Sequence, residues 1–565
     1  MLKQKIHTLI QTALEKSGLP TDGLMISTPT QESFGDYSTS IALQLAKKEK
    51  KNPMEIAEQI VEKIELGNLI ENAEVMRPGF INVWVSKKQL LVGLNNAVDI
   101  PSYHLGDNHK IMVEYAHPNT LKLFHIGHLR NITTGECISR ILEAVGNTVI
   151  RTNYQGDVGL HIAKTLWAAP EMIEEAGKDK VDAMSIREKI GLLGKSYVRG
   201  SKAYEEDENA KKEIIEINKK IYTLAEDIMP LYDQTRGWSL EYFQEKYDRA
   251  GTKFDKLYLE SQMAKRAIEL IDELKEKGIL EESDGAVIFN GEGHGVHTRV
   301  FKNTHGYPTY EGKELPLSEK ETTDFGELDK IIHVVTGEQT SFFATTFKVE
   351  ELMDPSRFKD KQYHLVYGWV HLKGGKMSSR KGNVVEGEWV LDEAKKAIIT
   401  EYKSDKQVAE KLAIAAIKFS FLKNGLQGDV NFDLTEAITL QGNSGPYIVY
   451  TYVRCKSILS KMEHTITPDH DRGSITMNAE ELSLLRTFSK YPEVVKEAAV
   501  GFAPNYITTY LYDLSQKYNL FYQKHQILKE ENEDIKSLRL KLTEKTSEIL
   551  KHGLNLLGIE TVEKM

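Results

Sequence analysis

Two histidines in the motif HIGH are the residues of the first half of the chain best suited to chemistry. His125, Gly127 and His128 follow the apolar run IMVEYA and the turn formers HPNT, and they precede a segment with apolar residues at helical spacing. The order predicted is strand, loop, helix. A helix N-terminus at a strand end offers N–H groups and partial positive charge to a phosphate. Both imidazoles add donors, and Gly127 lets a flat ring such as adenine approach the backbone.

A second loop with phosphate-binding character lies about 250 residues further on. The sequence GGKMSSRKGNVV, residues 374–385, carries Lys376 and Arg380 directly after the run YHLVYGWVHL, which reads as another strand. Neither motif is specific alone, since HxGH occurs by chance and a basic loop with glycines is often a solvated turn. Together they predict one nucleotide site formed by two loops at strand ends of the same sheet.

This pair of motifs resembles the HIGH and KMSKS signatures of class I aminoacyl-tRNA synthetases. The flanking sequences VEYAHPN and KMSSRKGNVV are similar to those of arginyl-tRNA synthetases in particular. The resemblance implies ATP-dependent ligation of L-arginine to tRNA(Arg) through an arginyl-adenylate, with Mg²⁺ carried by the ATP and no metal site of the protein itself. It implies catalytic roles for His125, His128, Lys122 and Lys376. It also implies ATP contacts by Gly127, Met377, Ser378, Ser379 and Arg380.

The resemblance further implies an arginine pocket assembled from three separate stretches. Its expected members are Glu114, His117, Asn119, His128, Tyr310, Glu314 and Gln339. A guanidinium is well matched by a carboxylate in a bidentate fork. Three positions depart from the family pattern: Glu314 replaces an aspartate, His117 stands where serine is common, and Ser379 replaces the second lysine of KMSKS. The alternative for the segment around Tyr310 is an exposed hairpin with a surface acid.

The elements that must position these residues suggest three domains. Residues 1–105 are predicted to be an α/β accessory domain that contacts tRNA, with Phe34 and Tyr37 implied as contacts by the resemblance. Residues 106–425 are predicted to be a Rossmann-type, parallel-sheet catalytic domain with charged helices inserted at about 168–275. Residues 426–565 read as a helical anticodon-binding domain in which Tyr447, Tyr450 and Arg454 suit stacking on unpaired bases, although a helix core also explains these tyrosines.

Composition limits the remaining possibilities. The chain has 565 residues, 40% hydrophobic and 28% charged, with two cysteines and a net charge of −10. No apolar run is long enough for a membrane span, and two distant cysteines fit a cytoplasmic protein without disulfides or zinc. A monomer is expected. The net charge of the chain neither supports nor excludes nucleic-acid binding, because local basic patches determine such contacts.

Three other functions remain open at this point. A different class I synthetase would be distinguished by the segment around Tyr310 and Glu314. A synthetase-like RNA-binding protein without activity would bind tRNA but form no adenylate, and the presence of both nucleotide motifs argues against it. A small nucleotidyltransferase using HxGH would leave the helical C-terminal quarter unexplained.

Overall fold

The structure, a computed structural model, describes residues 1–99, 108–373, 385–461 and 476–565. The chain forms two compact units, one of residues 106–438 and the other of residues 1–105 together with residues 439–565. The predicted division into three domains with boundaries at 105 and 425 stays a prediction.

The N-terminal segment is α/β, as predicted. Its helices are α1 (Leu2–Lys16), α2 (Ile41–Glu49), α3 (Pro53–Val61) and α4 (Lys87–Asn96), and its strands are β1 (Tyr37–Thr39), β2 (Ile70–Met76) and β3 (Phe80–Val85). The strands form an antiparallel sheet in the order β1-β3-β2. Helix α3 begins at Pro53, because proline suits the first helical position and Asn52 caps the N-terminus by accepting from Met54 N.

The unit of residues 106–438 contains ten strands and thirteen α-helices in its described part. The strands are β4 (Lys110–Glu114), β5 (Thr148–Gln155), β6 (Lys256–Leu259), β7 (Glu281–Ser283), β8 (Ala286–Phe289), β9 (Arg299–Lys302), β10 (Lys330–Thr336), β11 (Gln362–Tyr367), β12 (Val370–Leu372) and β13 (Val430–Phe432). The helices are α5 (Ile126–Ala144), α6 (Leu160–Ala176), α7 (Lys178–Ala183), α8 (Ile186–Glu206), α9 (Glu208–Tyr222), α10 (Met229–Ala250), α11 (Glu260–Glu276), α12 (Tyr310–Phe325), α13 (Thr340–Met353), α14 (Pro355–Phe358), α15 (Gly387–Tyr402), α16 (Lys406–Leu422) and α17 (Leu434–Ile438).

The main sheet has five parallel strands in the order β11-β10-β4-β5-β6, which confirms the Rossmann-type prediction. The chain builds outward from β4 through β5 to β6, and β10 then returns to the other side of β4. The strand order therefore reverses between β4 and β10. In open parallel sheets, ligands bind in the crevice at the carboxyl ends of the strands at such a reversal.

Two sequence predictions about strands are wrong. The region of about 168–275 contains strand β6 in addition to helices. The run YHLVYGWVHL is not one strand of the main sheet: it divides at Gly368, where a Cβ would lie 2.4 Å from Gly428 O, and β12 instead pairs with β13 in a separate two-stranded sheet. The close approach of a second backbone diverts the chain, so the basic loop does not follow a strand of the main sheet.

The C-terminal segment is helical, as predicted. It contains α18 (Gly445–Leu459), α19 (Ala479–Val500), α20 (Pro504–Lys524) and α21 (Glu533–Leu556). Apolar side chains from the last three helices, such as Leu484, Leu511 and Leu542, are fully buried. Of the helices that the structure describes, none has the length and apolar character needed to cross a bilayer.

Candidate active site

The loop between β4 and α5 occupies the sheet reversal and is held in an unusual conformation. Ala116, His117 and Leu121 have positive φ values of 82°, 45° and 64°. Side chains with a Cβ rarely adopt this region, and strain of this kind tends to occur at functional sites. Asn131 supports the loop: its Oδ1 accepts from Ala116 N at 2.5 Å, and its Nδ2 donates to Val334 O at 2.7 Å.

The two histidines of HIGH cap helix α5 reciprocally. His125 Nδ1 accepts from His128 N at 3.2 Å, and His128 Nδ1 accepts from His125 N at 3.3 Å. The two rings stack with their centroids 3.5 Å apart. Because each Nδ1 is an acceptor, the proton of each neutral ring lies on Nε2. The capping arrangement therefore selects the tautomer in which Nε2 is the donor.

Both imidazoles are uncharged at neutral pH. Burial, with help from the nearby charge of Lys122, lowers the pKa of His125 to about 4. Burial and the neighbouring His125 also hold the pKa of His128 well below its usual range. These histidines consequently act as hydrogen-bond donors rather than as positive charges. A negatively charged ligand at this site must be neutralised by other groups.

Several predicted residues line one cavity of about 170 Å³. His117, His125, Gly127, His128 and Gln339 all contribute to its wall. Pockets for drug-sized ligands commonly measure about 300–1,000 Å³, so this cavity matches one moiety of a larger substrate. The structure thus brings the HIGH motif together with Gln339, which lies more than 200 residues away in sequence.

The far flank of the second motif lies directly against the first. Ile126 N donates to Val385 O at 2.8 Å, and His125 and Glu386 form an isolated antiparallel bridge. Gly387 N donates to Phe124 O at 3.0 Å, and a Cβ on Gly387 would lie only 2.8 Å from the Phe124 ring. The predicted residues of the basic loop itself lie outside the described residues: Lys376, Met377, Ser378, Ser379 and Arg380.

A cluster of buried acids lies behind His117. Glu114, at the carboxyl end of β4, is 2% exposed, and its Oε1 lies 3.4 Å from His117 Nδ1 and 3.5 Å from His333 Nδ1. Glu314 is 6% exposed, and one ligand atom from each of Glu114, Glu314 and His333 lies within 4.8 Å of the others. Glu321 and Glu350 are buried in the same region. These buried carboxyl groups suit a positively charged ligand group.

The buried acids of this cluster differ in the direction in which their pKa values are shifted. Burial opposes ionisation of Glu114, but His333, together with His117 and Glu321, outweighs burial and holds the pKa of Glu114 below its usual range. Burial and the charge of Glu114 raise the pKa values of Glu314 and Glu321 well above the usual range. Burial also raises the pKa of Glu350, to about 7, against the opposing effect of His333. At neutral pH Glu114 is therefore ionised, Glu314 and Glu321 retain their protons, and Glu350 is partly protonated.

The remaining predicted members of the arginine pocket have distinct surroundings. Tyr310 is the first residue of α12 and is 59% exposed, whereas Glu314 lies one turn further along the same helix and is buried. The segment is thus a helix N-terminus rather than a hairpin. Asn119 forms an isolated bridge with Gly156, and Lys122 Nζ lies 5.9 Å from the centroid of the Tyr197 ring. The assignment of these residues to arginine or ATP stays a prediction.

Sequence reasoning missed four residues that the structure places at the site. They are Asn131, Glu321, His333 and Glu350. Asn131 lies within the helical pattern after HIGH, and His333 lies inside the apolar strand KIIHVV, where a polar residue was a usable signal. Glu321 and Glu350 occur among charged helical residues, and their sequence gives no indication that they are buried.

The predicted tRNA contacts near the N-terminus differ in exposure. Phe34 is 38% exposed. Tyr37 is 1% exposed, and its hydroxyl donates to Glu493 Oε1 at 3.0 Å. A buried ring cannot stack on a base, so burial favours a positioning role for Tyr37 instead of the predicted direct contact. Its neighbour Asp36 likewise makes an ion pair at 3.2 Å with Arg486.

The aromatic and basic residues of α18 face α20. Asn519 Nδ2 donates to Tyr447 OH at 2.9 Å, and Arg454 donates to Tyr450 OH at 3.1 Å and to Asn519. The Arg454 guanidinium lies 4.9 Å from the centroid of the Tyr450 ring and 5.0 Å from that of Tyr522. Tyr447, Tyr450 and Arg454 are each partly exposed. This arrangement offers flat, partly positive surfaces of the kind used for base stacking.

Comparison with known families and proteins agrees with this architecture. A family model described as tRNA synthetases class I (R), catalytic domain, matches residues 90–434. Models described as the arginyl tRNA synthetase N terminal domain and the DALR anticodon binding domain match residues 4–85 and 448–565.

Individual relatives are similar over almost their full lengths. An arginine–tRNA ligase of Clostridium botulinum is 32% identical over 555 residues, which cover 96% of each chain. One from Idiomarina loihiensis is 29% identical, with complete coverage of both chains. Among solved structures, Thermus thermophilus arginyl-tRNA synthetase superimposes with a TM-score of 0.80 at 25% identity and covers 100% of each chain.

Proposed function

The chain belongs to the arginyl-tRNA synthetase family, and from that membership we propose how its residues carry out the reaction. The chain is a class I enzyme that uses ATP to ligate arginine to tRNA. The assignment of individual residues to arginine, ATP, Mg²⁺ and tRNA is our proposal and rests on the geometry of the site.

The acid cluster is the proposed guanidinium subsite, and it is the observation that carries the residue assignment. Among the described residues, no lysine or arginine makes an ion pair with Glu114 or Glu314, and both of these side chains are buried. A buried carboxylate is costly unless it is paired. An arginine guanidinium supplies both the charge and the N–H groups. Tyr310 and Gln339 complete the subsite in this proposal, with Asn119 near the amino acid backbone.

The HIGH motif is the proposed triphosphate subsite. The N-terminus of α5 and the Nε2–H groups of His125 and His128 donate to phosphate oxygens, while Gly127 leaves room for the adenine ring. Because both histidines are neutral, positive charge must come from other groups. We assign this role to Lys122, to Lys376 and the adjacent basic loop, and to Mg²⁺ that arrives with ATP.

The chemistry proceeds in two steps. A carboxylate oxygen of arginine attacks the α-phosphorus of ATP, forming the acyl–phosphate bond as the bond to pyrophosphate breaks. The 2′-hydroxyl of the terminal adenosine of tRNA(Arg) then attacks the activated carbonyl, and AMP leaves. No covalent intermediate with the protein is required, so catalysis consists of positioning and of stabilising charge on phosphate oxygens.

We assign tRNA contacts to the partly exposed Phe34, Tyr447, Tyr450 and Arg454, and a positioning role to Tyr37. We further propose that the protein acts as a monomer in the cytoplasm, consistent with two buried free cysteines, Cys137 and Cys455.

A charging assay tests the proposal as a whole. Purified protein is incubated with tRNA, ATP, Mg²⁺ and each of the twenty amino acids in turn, and aminoacyl-tRNA is measured. Arginine alone should be charged, because a subsite with paired carboxylates rejects a substrate lacking the guanidinium by roughly 10⁴-fold. Charging of lysine or glutamine would contradict the arginine subsite. ATP–pyrophosphate exchange with and without tRNA shows whether adenylation requires the bound tRNA.

A further inference from the structure

The acids around the proposed guanidinium subsite outnumber the cations that could neutralise them. The ionisable groups of this region come from eight strands and helices and from the loop after β4. The central strands and their loop contribute Glu114, His117, Tyr154, Tyr258 and His333. The flanking helices and the edge strand contribute Glu260 with its partner Lys313, Glu314, Glu321, Glu350 and His364. Lys313 pairs with Glu260 at 2.6 Å, so histidines are the only cationic groups among the described residues that face the other four carboxyl groups.

A relay of hydrogen bonds determines the protonation of His333. Glu350 Oε2 accepts from Gln362 Nε2 at 2.6 Å, and Gln362 Oε1 lies 2.9 Å from His333 Nε2. With the Gln362 oxygen facing the ring, a proton on His333 Nε2 completes this hydrogen bond. His333 Nδ1 then faces Glu114 Oε1 at 3.5 Å, where a bare nitrogen lone pair would be repelled by a carboxylate. Nδ1 makes no hydrogen bond at this distance, but a proton on both nitrogens, giving an imidazolium, places a positive charge beside the Glu114 carboxylate.

The imidazolium neutralises Glu114 but not Glu314. With a single cation among four buried carboxyl groups, the remaining acids are most stable when protonated, and this agrees with the raised pKa values of Glu314, Glu321 and Glu350. A protonated carboxyl group cannot accept both N–H bonds of a guanidinium as a carboxylate does. Glu314 must therefore lose its proton when arginine enters.

We propose that His333 is a specificity-determining residue of the guanidinium subsite. By pairing with Glu114 it leaves the other acids protonated, so that the incoming guanidinium expels about one proton from the acid cluster to the solvent. The inference rests on the proposed arginine subsite. The proton leaves the Glu314 carboxyl group, and the guanidinium charge replaces it as the partner of that oxygen. Ligands that lack a positive charge cannot drive the exchange, so a neutral isostere of arginine encounters a protonated Glu314.

Calorimetry of L-arginine binding to the full chain tests this proposal. Binding is measured at pH 7 in buffers of small and large ionisation enthalpy, and the slope of the observed enthalpy against that quantity gives the number of protons released. The wild type should release about one, and its arginine affinity should rise by up to about tenfold per pH unit where the cluster is protonated. Arginine binding with a slope of zero would overturn the proton exchange and leave the arginine subsite intact. No arginine binding at all would overturn both.

The substitution His333→Gln tests the role of the imidazolium. Glutamine can still hydrogen-bond to Gln362 but brings no charge, so Glu114 should also hold a proton in the free enzyme. The expected proton release rises from about one toward two, with weaker arginine binding at pH 7. A merely structural role would weaken binding without changing the proton count, and that result would contradict the proposal.

A matched control is available on the neighbouring strand. His364 lies on β11, and its Nε2 is 3.2 Å from Val335 O. His364→Gln makes the same change of residue without removing the partner of Glu114, so its proton count should equal that of the wild type. If His333→Gln does not fold, the wild-type slope alone still decides whether a proton is released.

Discussion

The side chain of Asn131, on helix α5, holds the backbone N–H of Ala116 at 2.5 Å in the loop that follows β4. The same amide donates to Val334 O on β10 at 2.7 Å and to the hydroxyl of Tyr367 on β11 at 3.1 Å. One buried side chain thus joins three neighbouring strand ends. The positive φ of Ala116 places its N–H where only this side chain reaches it among the described residues.

Asn131→Leu should destabilise the protein by about 2–4 kcal/mol, because it leaves the buried N–H of Ala116 and the carbonyl of Val334 without partners. Tyr367→Phe removes only one of the three bonds and should cost about 1 kcal/mol. Denaturant unfolding measures both values. Equal costs for the two variants would contradict the role assigned to Asn131.

The histidine caps allow stability to be separated from catalysis. His125→Asn keeps a good N-cap but removes the Nε2–H donor, so adenylation should fall by about 100-fold to 1,000-fold with little change in stability. His125→Ala should show the same loss of rate and an additional cost of about 1 kcal/mol. Pyrophosphate exchange and thermal melting are the measurements. Full activity in His125→Asn would contradict the role of His125 as a hydrogen-bond donor to phosphate.

Glu314→Gln tests the guanidinium subsite with an isosteric, uncharged side chain. Loss of a charge-assisted hydrogen bond of about 1.5–3 kcal/mol should raise the KM for arginine by roughly 10-fold to 100-fold and leave the KM for ATP nearly unchanged. Glu319→Gln is the control on the same helix, because Glu319 pairs with Arg266 at 2.8 Å at the surface. An effect of the same size in both variants would indicate a change in α12 rather than in the subsite.

Phe34 and Tyr37 should respond differently to substitution. Phe34→Ala should raise the KM for tRNA several-fold, since stacking of an aromatic side chain on a base contributes about 1–3 kcal/mol. Tyr37→Phe should leave the KM for tRNA unchanged and lower stability by about 1 kcal/mol, because it removes only the bond to Glu493. Aminoacylation kinetics and unfolding of the full chain distinguish the two. A larger increase in the KM for tRNA in Tyr37→Phe than in Phe34→Ala would support a direct contact of Tyr37 with tRNA.

The pairing of His333 with Glu114 predicts a pH-dependent stability. Burial disfavours the charged imidazole, but Glu114, together with Glu314 and Gln362, outweighs burial and raises the pKa of His333 from 6.5 to about 9. The pair therefore stabilises the fold fully below about pH 6.5 and loses this contribution as the pH rises to about 9, by about 1–3 kcal/mol. Urea unfolding between pH 6 and 9 measures the loss. Replacing both partners, Glu114→Gln together with His333→Gln, removes the titrating pair and should reduce the slope, and a slope equal to that of the wild type in the double variant would contradict the pairing.

The sequence by itself determined the parts of this protein that depend on local patterns. The apolar run IMVEYA predicted β4, and helical spacing after HIGH predicted α5. The motif pair led to the family. Each of these signals lies within a few residues of the element that it predicts, because hydrogen bonding and side-chain periodicity are local properties of helices and strands.

Only the tertiary structure decided which distant residues meet. The break at Gly368, the reciprocal caps of His125 and His128, and the burial of Tyr37 depend on contacts with other parts of the chain. The acid cluster is the clearest case: Glu114, Glu321 and Glu350 come from a strand and two helices that are separated by more than 200 residues in total. The sequence does not distinguish a glutamate at the surface from one in the core. Only tertiary packing removes the water that stabilises the charged carboxylate.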